Sequence, residues 1–250
     1  MRVSYLELYA HCKKVLEGCG LPIGCAEEAA EIAAWGEFTG LYGIKQLAEE
    51  LSALQASDLS KIRILSQDER LVSIDGQGQS SLLSGRIALD LAYAKAAEMG
   101  VGIVNVQNSR GSNALIQNVA QAGKRGICCA IHWVEEDSQF WAITLPDANQ
   151  PYVVKRKSGH PLKSKQTDSF LVICADAVHF AYAAQLESHE ETEGSEVIRP
   201  EQIQAVWDES NRQGREIDPA IWAELNSVAS RVLVEATEQS RQRGAGEGAN

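Results

Sequence analysis

The histidines, cysteines and glycine clusters of this 250-residue chain are the groups whose chemistry has to be placed first. His132 closes an apolar run beside Trp133 and is followed by Glu135, Glu136 and Asp137. An imidazole with carboxylates at that spacing makes a proton-transfer pair or a weak metal site. The same acidic residues also suit a polar loop after a strand. His160 lies in "KRKSGHPLKSK" (155–165), where five basic residues gather in an otherwise acidic chain. That segment reads either as a seat for a phosphate or carboxylate or as an exposed loop. The six cysteines form no Cys-x-x-Cys pair and no zinc-ligand spacing, so no metal site is expected. Cys128 and Cys129 stand inside an apolar run and read as small buried hydrophobes of a reducing compartment. "GQGQSS" begins like a dinucleotide fingerprint but has Ser81 where the third glycine belongs.

The most informative stretch is "QNSRGSN" (107–113), a short polar turn between the apolar "VGIVNV" (101–106) and a helical segment. A turn after a buried strand is a common place for a reacting group. This one carries no histidine, carboxylate or cysteine; Arg110 is its one charged side chain. No complete catalytic constellation is present in the sequence.

The elements that must position these residues follow from periodicity. Residues 4–54 read as three helices, the first with Tyr5, Leu8, Cys12, Val15 and Leu16 on one face. From residue 60 the period shortens. "KIRIL" and "RLVSID" are expected strands, "GQGQSS" a turn, and Ser84 the cap of a helix ending at Gly100. "VGIVNV", a helix near 113–124 and "GICCAIHW" make a strand–helix–strand unit. "FWAITL", "YVVKRK" and "SFLVICA" add three strands, and a helix is expected from Asp176 to Gln185. The expected fold class is α/β: a mixed sheet with strand–helix–strand units and helical segments at both ends. Its expected divisions are an N-terminal helical segment (1–58), a mixed α/β domain (59–186), an acidic linker (187–199), C-terminal helices (200–240) and a tail (241–250).

The formal net charge of −11, a pI near 5.0 and 23% charged residues argue against nucleic acid or an anionic membrane as partner. "MRVSYLELYAHCKKVL" lacks the long apolar core of a signal peptide, so a cytoplasmic location is expected.

The block from "LVSIDGQGQSSLLSGRIALDLAYAKAAEMG" through "VGIVNVQNSRGSNALIQNVAQAGKRGI" resembles the malate/L-lactate dehydrogenase type-2 family. These are NAD(P)-dependent reductases of 2-oxo acids and cyclic imino acids on a non-Rossmann fold. Ile74-Asp75-Gly76, Gly85-Arg86, Ala94 to Gly102 and Asn108-Ser109 match the family's order and spacing, and "GLPIGCAEEAAEIAAWGEFTGL" resembles its opening helices. That opening and "ASRVLVEATEQSRQRGAG" are also similar to a group of short bacterial proteins of about this size.

The departures fall on the family's chemistry. Its Asp-Ser-His-Gly motif, which carries the proton donor, is replaced by Leu41-Tyr42-Gly43. Its Asn-Ser-Asn-His-Phe-Gly motif has become Asn108 to Asn113, and Val154 to Ser158 put a basic residue where an aspartate supports the catalytic histidine. The resemblance therefore implies Tyr42 as the substitute acid, with Arg110, Asn108 and Ser109 toward substrate. It implies Gly76, Gly78, Gln79, Lys155, Arg156 and Lys157 toward NAD or NADP, and no metal. Two functions stay open. One is a degenerate binding or accessory subunit holding a small anionic metabolite; the other is an active reductase with a rearranged site. Family members are commonly dimers with helices packed across the interface, so a homodimer or a larger assembly is the expected setting.

Overall fold

The computed structural model describes residues 1–41, 43–135, 138–157, 168–176, 178 and 195–232. The three expected opening helices are α1 (Tyr5–Gly18), α2 (Ile23–Thr39) and α3 (Ile44–Gln55). Ser4 and Glu7 cap α1 reciprocally, the Ser4 amide donating to the Glu7 carboxylate at 2.8 Å. The helix buries Leu8, Cys12, Val15 and Leu16, the stripe set by its 3.6-residue period. Alanine-rich α2 is buried nearly all round and stops at Gly40, which takes a φ of 74°. Near the far end of the chain, α6 (Pro200–Gln213) and α7 (Pro219–Ala229) each begin with proline in the first turn. They return to the opening helices and share one core with them. Tyr5 meets Trp207 edge-on at 5.2 Å, and His11 stacks on Trp222 at 3.8 Å. A two-residue ladder, β1 (Arg2–Val3) with β10 (Arg215–Glu216), ties the two segments together.

The other layer is an eight-stranded mixed sheet in the order β2-β3-β4-β8-β5-β6-β7-β9. Its strands are β2 (Arg63–Gln67), β3 (Leu71–Ser80), β4 (Val101–Arg110), β5 (Cys128–Glu135), β6 (Ser138–Thr144), β7 (Tyr152–Lys157), β8 (Phe170–Ala175) and β9 (Ser195–Ile198). Among the described strands only β3 and β4 pair in parallel, joined by the crossover helix α4 (Ser81–Met99). A short 3-10 turn (Ser112–Ala114) and α5 (Leu115–Lys124) connect β4 to β5. Ile74, Val106, Phe170, Trp133, Phe140 and Lys155 stand in one register row across six strands. Apart from Lys155, that row and Val72, Val104, Val172, Ile131, Ala142 and Val153 form the face that packs under α4 and α5.

Three expectations change. "GQGQSS" is not an open turn: β3 continues through it to Ser80 as a bulge, because Asp75 opposes Gln107 and Gln79 opposes Ser109. Four residues of β3 thus span two of β4, with Gln77 and Gly78 at positive φ. The cap of α4 is Ser80, whose hydroxyl accepts from Leu82 N, and not Ser84. Residues 195–198, expected inside the acidic linker, are the outermost strand, with Val197 opposite Val154. The helix expected from Asp176, the linker's first residues and the 241–250 tail lie outside the described residues, apart from 176 and 178. Among the described residues no helix is long and apolar enough to cross a membrane.

The parallel pair depends on a close approach at Gly102, which lies under α4. A Cβ there would overlap the Ala92 carbonyl and sit 2.9 Å from its carbon. The obstacle is helix backbone, which cannot step aside as a side-chain tip can. Gly102→Ala is expected to lose about 1–3 kcal/mol of unfolding free energy, the usual penalty for overpacking. Urea unfolding measures it; a loss under about 0.5 kcal/mol, the scale of neutral surface changes, would mean that α4 is not held this closely.

Candidate functional site

Antiparallel neighbours reverse direction, so β3, β4, β5 and β7 all run the same way. Their C-terminal ends lie at one end of the sheet, where ligands of α/β proteins gather. Asp75–Ser80, Gln107–Arg110, His132–Glu135 and Lys155–Lys157 all reach that end.

The bulge of β3 is built around Asp75. Its carboxylate accepts from Asn108 Nδ2 at 2.9 Å, from Gln77 N at 2.9 Å and from Gln77 Nε2 at 2.5 Å. The Asn108 hydrogen bond, followed by that of the Gln77 amide, holds the Asp75 carboxyl below the ordinary aspartate range. Asn108 takes a φ of 54° to make this reach. Gly76 is needed for packing, since a Cβ there would lie 2.9 Å from Asn108 O. Gly78 is needed for its backbone, with a φ of 74° and open space beside it.

Behind the bulge runs a buried seam of hydroxyls. Ser84 and Ser109 share a hydrogen bond at 2.7 Å, and Ser109 also donates to Gln79 O at 3.2 Å. Ser81 donates to Gly111 O at 2.5 Å, and Ser80 donates to the Glu50 carboxylate from α3. Gln79 accepts the Asp58 amide at 2.9 Å. Glu50 thereby sits at the N-terminus of α4, where the helix dipole favours an anion. Gly111, at a φ of 74°, admits Glu50: an added Cβ would overlap one carboxylate oxygen and lie 2.7 Å from Cδ. Glu50 and Ser80 were not singled out from the sequence, and Ser81 and Ser84 stood out there only as a fingerprint mismatch and a helix cap. Their partners lie 25 to 30 residues away, so no local pattern points to them.

The residues expected to bind are thus of two kinds. Asn108, Ser109 and Gln79 have side chains committed to the framework. The Arg110 side chain is exposed and makes no hydrogen bond or ion pair among the described residues. Lys155, Arg156 and Lys157 are exposed on β7, with Lys155 Nζ 5.7 Å from the Phe140 ring centre. They share the sheet end with Arg110, but β8, β5 and β6 intervene, a separation of roughly 19 Å at ordinary strand spacing. Tyr42, the expected acid, lies outside the described residues, as do Glu136, Asp137 and His160.

His132 does not pair with Glu135. Three residues apart on a strand, the two project to opposite faces, and the Glu135 carboxylate accepts from Asn113 Nδ2 at 3.0 Å. His132 leans on Trp141 with ring centres 4.2 Å apart, and burial pushes its pKa down, toward a neutral ring.

Two measurements probe this framework. Because the folded pKa of Asp75 is depressed, its stabilising contribution is present above the unfolded value and is lost as pH falls through the folded one. In Asn108→Ala, carbon-detected NMR titration is expected to show the Asp75 pKa rising toward the ordinary value; an unmoved titration would exclude Asn108 as the main cause. Gly111→Ala is expected to destabilise by about 2 kcal/mol or more through positive φ and the Glu50 overlap. Adding Glu50→Ala should recover the overlap part, and strict additivity of the two changes would rule out their contact.

The structure is similar to sulfolactate dehydrogenase from Methanocaldococcus jannaschii (15% identity, TM-score 0.69, covering 92% of this chain and 97% of that one). It is also similar to malate dehydrogenase from Pyrococcus horikoshii OT3 (16%, 0.70, 94% and 96%). A third likeness is to delta1-piperideine-2-carboxylate reductase from Pseudomonas syringae pvar. tomato (14%, 0.65, 91% and 99%). At these identities the likeness establishes the fold. No curated protein matches the chain at a significant level. The family model for malate/L-lactate dehydrogenase matches residues 3–145, more than half of the sequence and all of the β3–α4–β4 unit, and the chain belongs to that family.

Proposed function

We propose that this chain is a member of the family that keeps the ligand-holding framework and has given up proton transfer, acting as a binding or accessory subunit for a small anionic metabolite. The observation that carries this reading is the fate of the turn after β4. Asn108 is spent on Asp75, Ser109 on Ser84 and Gln79, and Gly111 on admitting Glu50. Arg110 remains exposed, and its guanidinium presents a rigid fork of N–H donors. It is suited to clamping a carboxylate through its planar fork and unsuited to donating a proton to a reacting carbonyl.

The cations at the strand ends fit the anionic part of NAD or NADP. Lys155, Arg156 and Lys157 would contact its phosphates, with Arg110, roughly 19 Å away across the sheet, left to the metabolite's carboxylate. Gly78, at positive φ with open space beside it, leaves the bulge backbone open to a phosphate, and Gly76 fixes the bulge against Asn108. Six cysteines without a disulfide suit a reducing cytoplasm. Assembly as a homodimer or within a larger enzyme suits an accessory role.

Thermal-shift titration with 2-oxo acids, NADH and NADPH tests the reading. Binding to the folded state raises Tm by about 2–4 °C per kcal/mol of linked free energy in a chain this long. A 2-oxo dicarboxylate is expected to stabilise the wild type and to lose that effect in Arg110→Gln, with no NAD(P)H consumed. Oxidation of NADH or NADPH by a 2-oxo acid or cyclic imine would overturn the proposal in favour of an active reductase. Tyr42→Phe would then be the variant that identifies its acid.

A further inference from the structure

The opposite end of the sheet carries a second concavity. The loop after β6 and one face of α6 enclose an open groove of about 550 Å³, within the range of small-ligand sites. Gln150, Tyr152, Glu201, Gln204, Ala205 and Asp208 face it, and no lysine or arginine is among its lining residues.

A relay of amides fixes the polarity of this groove. Gln204 Nε2 donates to Asp208 Oδ1 at 2.8 Å, and a carboxylate can only accept. The Gln204 amide must therefore turn its oxygen toward Gln150, whose Nε2 donates to it at 3.0 Å. That leaves the Gln150 carbonyl oxygen over. Gln150 is 6% exposed, and its Oε1 has no partner among the described residues. A buried acceptor without a donor is unfavourable, and native structures seldom tolerate one without a reason.

The unmet demand is thus for N–H donors, beside two carboxylates. Glu201 and Asp208 lie seven residues apart on α6, about 10 Å along the axis and nearly two turns, so both project from one face. Ala205 and the Tyr152 ring supply apolar surface in the same groove. We propose that this groove binds a linear aliphatic diamine, its two ammonium groups at Glu201 and Asp208, one of them reaching the Gln150 carbonyl, and its methylenes on Ala205 and Tyr152. The site is separate from the strand-end cations and does not depend on the function proposed for them.

Titration of the full chain with cadaverine, followed by calorimetry and by the side-chain amide resonances of Gln150 and Gln204, tests the assignment. Saturable binding that moves both amide pairs is expected. Asp208→Asn and Glu201→Gln should each weaken it by about five-fold, the scale of one exposed charge contact. Both positions are exposed on α6, so thermal melts of the variants should match the wild type. n-Pentylamine, with one ammonium, should bind more weakly by a similar factor. Absence of saturable binding, or equal affinity in wild type and both variants, would overturn the proposal. Nα-acetyl-lysine amide binding as tightly as cadaverine would also overturn it, pointing instead to a lysine of a protein partner.

Discussion

Parallel pairing of β3 with β4 is the constraint on which the remaining structure rests. Two parallel neighbours require a crossover, and α4 must lie flat on the sheet to supply it. It does so only because Gly102 presents no side chain to Ala92, and because Gly85 opens α4 to Leu115 and Asn118 of α5. Once α4 is seated, its first turn has to begin beside the end of β4. The bulge at Gln77 and Gly78 makes that possible: two additional residues carry Ser80 to the cap position, level with Arg110. The helix N-terminus, the Glu50 carboxylate and the turn after β4 therefore meet as a consequence of backbone geometry.

Much of this was legible in the sequence where short-range periodicity governs. "VGIVNV" alternates, and Gly102, Val104 and Val106 are its inward residues. The stripe on α1 and the prolines opening α6 and α7 likewise follow from local rules. What was hidden depends on contacts between distant residues. "GQGQSS" has the composition of a turn, and only pairing with β4 turns it into bulged strand. Ser80, Ser81 and Ser84 all lie where a cap is plausible; the landing point of the strand selects Ser80. "SEVI" is four residues at the end of an acidic run, and it becomes a strand because β7 offers an unpaired edge.

The turn "QNSRGSN" shows why site residues are harder to read than folds. Its polar composition suggests groups directed at a ligand. In space, Asn108 and Ser109 are consumed by hydrogen bonds to Asp75, 33 residues away, and Ser84, 25 residues away. Ser109 is buried, and a buried hydroxyl satisfied in this manner gives rigidity, since leaving it unpaired would be costly. The same residue types in the same order can thus either hold a scaffold or meet a substrate, and only the partners decide.

Charge follows the same logic. The net charge of −11 does not predict the sign of any one site. At physiological ionic strength the screening length is about 8 Å. Along β7, Tyr152 and Lys157 are separated by five residues, about 17 Å of strand. Lys157 at one end and Tyr152, which lines the α6 groove, at the other are therefore about two screening lengths apart. Each end of the sheet answers to its own few side chains, so a cation-lined edge and an acceptor-lined groove can coexist on one acidic protein without either setting the other's ligand.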